Sequence, residues 1–261
     1  DWSLLVNDPN TPLLNRALQG RYSPGTILGP FLLAKISAEE GYQLEGEGPD
    51  PGGVAQQDCA IEGRLSSLSD AISSGCYSNV VGLADKLGGE GFSTMLEELG
   101  FYSDINLTPG EGPVYSPTAI LSPEEVISSQ SDFAVSPLQV ARAAALLSTG
   151  GLMPEPRLAA AVNLPDSGWQ VFHPGEPSQR VFSEMNSDDV AELLADDQLP
   201  IWQAVSKTKN SENQEISWYI AGTQPGWSGA PLVLVILLED GAPQEAMEVG
   251  RELIGDALQV E

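Results

Sequence analysis

The chain has 261 residues, of which 37 are acidic and 11 are basic, so its formal net charge is −26. Because such a negative field repels phosphates and anionic lipids, we expect no nucleic acid partner. The hydrophobic fraction of 41% is ordinary for a folded globular protein. No apolar run reaches the roughly 20 residues that a membrane-spanning helix needs, and the longest, Pro231 to Leu238, has the length of a strand.

The cysteine and histidine content limits which disulfides and metal sites the chain can form. Cys59 and Cys76 could form one disulfide in an oxidising compartment or remain two buried thiols, and the sequence leaves both open. The single histidine, His173, lies in a stretch rich in proline and glycine. Since there is no Cys/His cluster, we expect neither a metal nor a cofactor.

The N-terminal half predicts one short strand followed by helices. Trp2 to Val6 is typical of a strand, and the Pro24-Gly25 turn leads into an apolar helix from Thr26 to about Ala38. The stretch from Gly41 to Gln57 has the composition of a solvated loop, and the residues from 65 to 100 have a helical pattern.

The C-terminal half predicts one buried helix, then strands and a final helix. Ser136-Pro137 is a strong helix start. Three strands are expected near 201–208, 216–221 and 232–237, and a closing helix over 245–258. The predicted fold class is α+β, with one antiparallel sheet built from N- and C-terminal strands, flanking helices and a mainly helical middle. We expect one domain over residues 1–261.

Three segments, in this order, resemble the transpeptidase domain of penicillin-binding proteins. They are Asn15-Arg16-Ala17 followed by Ser23-Pro24-Gly25-Thr26, then Phe133-Ala134-Val135-Ser136-Pro137-Leu138-Gln139, then Ser206-Lys207-Thr208-Lys209 before the Trp218-Tyr219-Ile220 strand. The resemblance implies a domain from the C-terminal part of a longer envelope protein. It also implies an extracytoplasmic location and anchoring through a segment that precedes this chain.

The family's catalytic elements can be compared with this sequence residue by residue. The first element needs a serine nucleophile and a lysine three residues later, on the same helical face, to take its proton. Here those places hold Thr26 and Gly29. Since Gly29 has no side chain, the resemblance implies that the general base is missing.

The other two elements also depart from the family pattern. The family's Ser-x-Asn is replaced by Gly75, Cys76 and Tyr77, and its Lys-Thr-Gly by Lys207, Thr208 and Lys209. A lysine in place of that glycine is expected to crowd the edge strand, where substrate approaches the backbone closely. The family's Gly-Gln-Gly before the Pro-Leu-Gln helix becomes Ser129-Gln130-Ser131.

These departures predict a transpeptidase-like domain that has lost acyl transfer and acts as a binding or scaffold module in the cell envelope. Its expected partner is another envelope protein or a peptidoglycan stem peptide. The alternative is a divergent D,D-transpeptidase, with Thr26 as nucleophile and Lys207 or Lys209 as base. Thr26 could instead cap its helix through the hydroxyl, and Cys76 could be a thiol nucleophile or a buried, bonded cysteine.

Overall fold

A computed structural model describes residues 2–8, 11–38, 58–63, 65–105, 107, 120–157, 159–171, 179–210 and 213–259. The predictions for Gly41 to Gln57 and for His173 lie outside these residues. Nine α-helices are assigned in the described ranges: α1 Trp2–Val6, α2 Arg16–Gln19, α3 Gly29–Ile36, α4 Leu68–Ser73, α5 Tyr77–Glu98, α6 Pro123–Ile127, α7 Pro137–Ser148, α8 Glu184–Leu193 and α9 Pro243–Gln259.

The central sheet has three antiparallel strands in the order β5–β6–β7, where β5 is Ile201–Lys209, β6 is Glu215–Thr223 and β7 is Val233–Glu239. The register pairs Ile201 with Thr223 and Thr208 with Ile216. Two small antiparallel pairs lie outside it: β1 (Leu152–Met153) with β4 (Gln179–Arg180), and β2 (Ala161–Leu164) with β3 (Gly168–Val171). The three strands predicted in the C-terminal half and the closing helix, observed as α9, are confirmed.

The strand predicted at Trp2 to Val6 is wrong, because this segment forms α1 and none of its residues is buried. A short apolar run does not by itself distinguish helix from strand. A helix satisfies its backbone N–H and C=O groups internally, whereas a strand needs a neighbour. The three strands of the central sheet therefore all come from the C-terminal part of the chain, and the α+β class itself is confirmed.

The core lies on both faces of the sheet. On one face Trp202 and Ala204 pack with the residues of α3, α5 and α7, and on the other Ile201 and Val205 pack with Ala246 and Ile254 of α9. This division follows from the period-two alternation of a strand, which sends successive side chains to opposite faces. It also decides which side of β5 each polar residue near its end occupies.

The predicted turn into a buried helix is confirmed. Gly25–Leu28 form a 3₁₀ helix that runs directly into α3, and every residue from Gly25 to Ala34 is buried. No helix in the described ranges has the length and apolarity needed to cross a bilayer.

Candidate ligand-binding cleft

A cleft of about 760 Å³ opens where the 3₁₀ helix, the start of α5, the turn after α6 and the end of β5 meet. Thr26, Gly75, Tyr77, Lys207, Thr208 and Lys209 all line it. The fold therefore brings together six of the seven positions that the resemblance singled out. The seventh, Gly29, lies one helical turn beyond Thr26 and is buried.

Thr26 is held against the sheet, with 4% of its surface exposed. Its Oγ1 donates a hydrogen bond to Ser206 Oγ at 2.9 Å, and Ser206 Oγ donates to the Pro24 carbonyl at 3.2 Å. The helix-capping role proposed for Thr26 is wrong, since neither the 3₁₀ helix nor α3 has a side-chain cap. The hydroxyl instead ties the 3₁₀ helix to β5.

Lys207 lies on the face of β5 opposite to Ser206, as the strand alternation requires. Its Nζ forms an ion pair with Glu215 of β6 at 2.9 Å. Lys209, on the same face as Lys207, donates from Nζ to Asn213 Oδ1 at 3.0 Å. The side chain that β5 presents to Thr26 is therefore a serine, and neither lysine hydrogen-bonds to Thr26 in the described structure.

Thr208 packs on Gly25, and this contact explains why the turn needs a glycine. Gly25 has a φ of 58°, and a Cβ atom there would lie 2.2 Å from Thr208 Cγ2. The Ser23 carbonyl next to it accepts hydrogen bonds from Trp218 Nε1 at 3.0 Å and from Thr208 Oγ1 at 3.4 Å. The turn is thus fastened to two strands.

The space beside Gly29 is filled by apolar side chains. A Cβ atom at this position would lie 2.9 Å from Ile72 Cγ2 and 3.2 Å from Val80 Cγ2. Such distances force neighbours in a close-packed core to shift. Position 29 therefore has no side chain, and the packing around it leaves no room for one without a shift of Ile72 or Val80.

Gly75 is closed in a similar way. It has a φ of 66°, and a Cβ atom would lie 2.4 Å from the Val205 carbonyl oxygen and 2.9 Å from Thr26 Oγ1. A serine at this position would meet backbone on one side and Thr26 on the other. The approach of β5 therefore leaves no room for a side chain at position 75.

Cys76 is bonded to Cys59, which decides between the two states that the sequence left open. The bond fastens the start of α5 to the segment Asp58–Ile61, which we call the strap. A disulfide sulfur is neither a thiolate nucleophile nor a metal ligand. Although Asp58, Cys59 and Cys76 place an oxygen and two sulfurs within 4.8 Å, they do not form a metal site in this state.

Tyr77, the first residue of α5, lines the cleft. Burial raises the pKa of its phenol, the charge of Glu124 raises it further, and a hydrogen bond with Ser128 partly opposes them. The phenol is therefore neutral at physiological pH, when it can donate or accept a hydrogen bond.

The turn between α6 and α7 also lines the cleft, through Ser128 and Ser129. Ser23 Oγ donates to Ser129 Oγ at 2.9 Å. Ser129 has a φ of 62°, which glycine adopts without strain. This conformation explains why the family has glycine where this chain has Ser129.

Comparisons with known proteins show the family of this chain. The family profile for the penicillin binding protein transpeptidase domain matches residues 3–254. The chain belongs to this family. It is 28% identical, over 300 residues, to the peptidoglycan D,D-transpeptidase PbpA of Mycobacterium tuberculosis strain H37Rv, and the match covers 100% of this chain and 60% of that protein.

Two further relatives support the assignment. PbpA of Mycolicibacterium smegmatis is 25% identical over 297 residues, covering 98% of this chain and 59% of the relative. The structure of penicillin-binding protein A from M. tuberculosis as an imipenem acyl-enzyme superimposes with a TM-score of 0.76 at 25% identity, covering 99% of this chain and 65% of that one. The chain thus spans about three fifths of the length of the relatives.

Sequence reasoning missed Ser206 and the strap. The signal for Ser206 was present, since the period-two pattern places Ala204, Ser206 and Thr208 on one face of β5. The approach of the strap to Gly75 had no such signal, because Cys59 and Cys76 could equally have been separate thiols.

Proposed function

We propose that this transpeptidase domain does not transfer acyl groups and serves as a binding module in the cell envelope. The observation that carries this proposal is the state of Thr26. Its hydroxyl is buried, donates a hydrogen bond to Ser206 Oγ, and has no general base beside it among the described residues. An unactivated secondary hydroxyl is a poor nucleophile at neutral pH.

The packing around the two glycines supports the same conclusion. If catalysis had been lost through a single recent substitution, the other catalytic side chains and their space would remain. Instead Ile72 and Val80 pack at Gly29, and the Val205 carbonyl packs at Gly75. Restoring one side chain would therefore not restore the catalytic geometry.

The cleft nevertheless keeps a backbone edge that can pair with an extended peptide. Along β5, Ile201 O and Gln203 N bond to the 194–196 segment, on the side away from β6. The alternation of an antiparallel ladder turns the N–H and C=O groups of Lys207 and Lys209 to that same side. No described residue bonds to these groups, so an added strand could do so.

The ligand we propose is a peptidoglycan stem peptide or an extended segment of another envelope protein. The relatives' names, which state activity on peptidoglycan, support an extracytoplasmic setting for this chain as well. A disulfide is also typical of that compartment.

Labelling with a fluorescent penicillin, followed by intact-mass measurement, tests the loss of acyl transfer. We expect no covalent adduct on the wild-type chain or on Thr26→Ala. An active penicillin-binding protein, treated in the same way, is the positive control and should form the adduct. A stoichiometric adduct that Thr26→Ala abolishes would overturn the proposal in favour of a divergent enzyme with a threonine nucleophile.

Calorimetric titration with a pentapeptide ending in D-Ala-D-Ala tests the binding role. We expect weak, noncovalent binding that Lys209→Pro abolishes, because proline removes the outward N–H. Lys209→Ala keeps that N–H and serves as the matched control. No heat at millimolar peptide would exclude the stem peptide as the ligand.

A further inference from the structure

The residues around the Cys59–Cys76 disulfide bring three metal-ligating side chains together. Asp58 places a carboxylate oxygen, and Cys59 and Cys76 place their sulfurs, all within 4.8 Å of one another. In the oxidised protein the two sulfurs are bonded to each other and do not coordinate an ion. After reduction, each sulfur can lose a proton and become a thiolate, which is the form of cysteine that binds metals.

The position of the Asp58 carboxylate fits a tetrahedral ion. Its Oδ1 atom lies 3.6 Å from Cys59 Sγ. Zinc bonds of about 2.3 Å to sulfur and about 2.1 Å to oxygen place the two ligand atoms of a tetrahedral ion about 3.6 Å apart. This oxygen and this sulfur therefore already have the separation that one shared ion requires.

The two sulfurs have to move apart before they can share an ion. In a tetrahedral zinc site two sulfurs lie about 3.8 Å from each other. Reduction itself causes this movement, because two sulfur atoms that are no longer bonded cannot stay at bonding distance. Cys59 has the space to move, since it is only partly buried, whereas Cys76 is fully buried.

Hydrogen bonds from Ser78 orient the Asp58 carboxylate. Its Oδ2 atom accepts from Ser78 N at 3.0 Å and also from Ser78 Oγ. These bonds hold Oδ2 and leave Oδ1 directed at Cys59, as the outer hydrogen bonds of a metal site orient its ligands. Because Ser78 belongs to the first turn of α5, it also fixes Asp58 relative to Cys76 at the start of that helix.

An ion can reach this group from the cleft. Asp58 and Cys59 both line the cleft. Three protein ligands leave the fourth position of a tetrahedral ion for a water molecule or for an oxygen atom of a molecule in the cleft.

We propose that the reduced protein binds one Zn²⁺ ion through Asp58, Cys59 and Cys76, and that the ion and the disulfide exclude each other. Two thiolates and one carboxylate select zinc over Ca²⁺ and Mg²⁺, which prefer oxygen ligands alone. The metal site is independent of the proposed function, because no peptide ligand takes part in it.

The change of state requires a dithiol reductant. One of its thiolates attacks Cys59 Sγ, the S–S bond breaks, and Cys76 leaves as a thiolate that takes up a proton. The second thiol of the reductant then releases Cys59 as a thiol, and the reductant departs as a disulfide after transferring two electrons. Zn²⁺ binds the two sulfurs as thiolates, and their two protons pass to the solvent.

Titration of the phosphine-reduced protein with Co²⁺, without oxygen and after removal of the phosphine, tests the site. We expect one equivalent to bind and to give the absorption of cobalt–thiolate bonds. Zn²⁺ should then remove this absorption, because it binds more tightly than Co²⁺ and has a filled d shell. The oxidised protein and a Cys59→Ser/Cys76→Ser variant should show no such absorption.

The carboxylate ligand is tested with a matched pair of variants that keep both cysteines. Asp58→Asn should weaken Co²⁺ binding by about tenfold or more, since the amide oxygen carries no charge. Glu62→Gln should bind as the wild type does, because Glu62 lines the same cleft but is not one of the three ligands.

Three results would overturn the proposal. The first is a reduced protein that shows no cobalt–thiolate absorption. The second is equal affinity of Asp58→Asn and wild type, which would mean that the thiols bind without the carboxylate. The third is a loss of the near-ultraviolet circular dichroism on reduction, which would mean that the packing that positions the three ligands depends on the disulfide.

Discussion

The N-terminus of α7 and the corner around Thr26 both belong to segments that resemble the family, but they differ in the groups that fill the space around them. At α7, Ser136 and Gln139 form a complete capping box, and Gln139 Nε2 also donates to the Phe101 and Ser103 carbonyls, each at 3.2 Å. Around Thr26, apolar side chains lie against Gly29, and the Val205 carbonyl and Thr26 Oγ1 lie against Gly75. The polar groups at α7 satisfy buried backbone groups, whereas the packing around Thr26 leaves no room for further side chains at positions 29 and 75.

Replacing Gln139 by leucine should give the largest effect and shows how much depends on the α7 contact. The Ser136 N–H and the carbonyls that Gln139 serves would lose their partner in a buried setting, so we expect a loss of about 3 kcal/mol. Urea unfolding measures it. Gln130→Leu, at an exposed position of the preceding turn, is the control and should change stability by less than about 0.5 kcal/mol.

Replacing Gly29 by lysine tests whether the corner around Thr26 has room for a base. If it has, the contrast with the N-terminus of α7 does not hold. We expect a loss of about 2 kcal/mol, because the new side chain meets Ile72 and Val80, and no labelling by fluorescent penicillin. Gly82→Lys, on the open face of α5 where nothing lies within 4 Å of a Cβ, should be neutral or stabilising. A Gly29→Lys protein as stable as wild type would contradict the inference that Ile72 and Val80 leave no room for a side chain at position 29.

Asp196 provides a second structural contact for the comparison, because its carboxylate pairs with Arg251 of α9. Burial acts to raise the pKa of its carboxyl, but hydrogen bonds from Arg251 and from the Gln198 and Leu199 amides outweigh it, so the pKa lies below its ordinary value of 3.8. Since the folded pKa is lower than the unfolded one, this stabilisation is complete above about pH 4 and is lost as the pH falls through the folded value.

Replacing Asp196 by asparagine tests this contact. The new amide would direct donors at Arg251 and Gln203, so we expect a loss of about 2 kcal/mol near neutral pH. The difference from wild type should shrink below about pH 4. Unfolding curves at several pH values measure it, with the exposed Asp197→Asn as the control. A difference that is constant with pH would contradict the role of the charge.

Replacing Thr26 by valine should give the smallest effect and separates a structural hydroxyl from a catalytic one. The shape is kept and one buried hydrogen bond to Ser206 is lost, so we expect about 1 kcal/mol of destabilisation. Pentapeptide binding should not change. The exposed Thr94→Val on α5 controls for loss of a hydroxyl elsewhere, and a loss of binding with unchanged stability would point to direct contact between Thr26 and the ligand.

The position of the helices and strands followed from the sequence wherever the apolar pattern was long. The α7 helix, β5 to β7 and α9 were predicted close to their observed bounds, since each has a sustained period or a strong start signal. The strand predicted at Trp2 to Val6 failed because a five-residue run with four apolar side chains fits either a helix or a strand, and the choice depends on whether a neighbouring strand is available.

The sequence by itself determined the α+β class, the family and the absence of a lysine at position 29. Residue identity and local periodicity suffice for these. Only the tertiary structure decided that Ser206, rather than Lys207, meets Thr26, that Ile72 and Val80 close the corner, and that Cys59 is bonded to Cys76. Each of these depends on which face of a strand or helix approaches a distant segment, and packing between distant segments leaves no local signal in the chain.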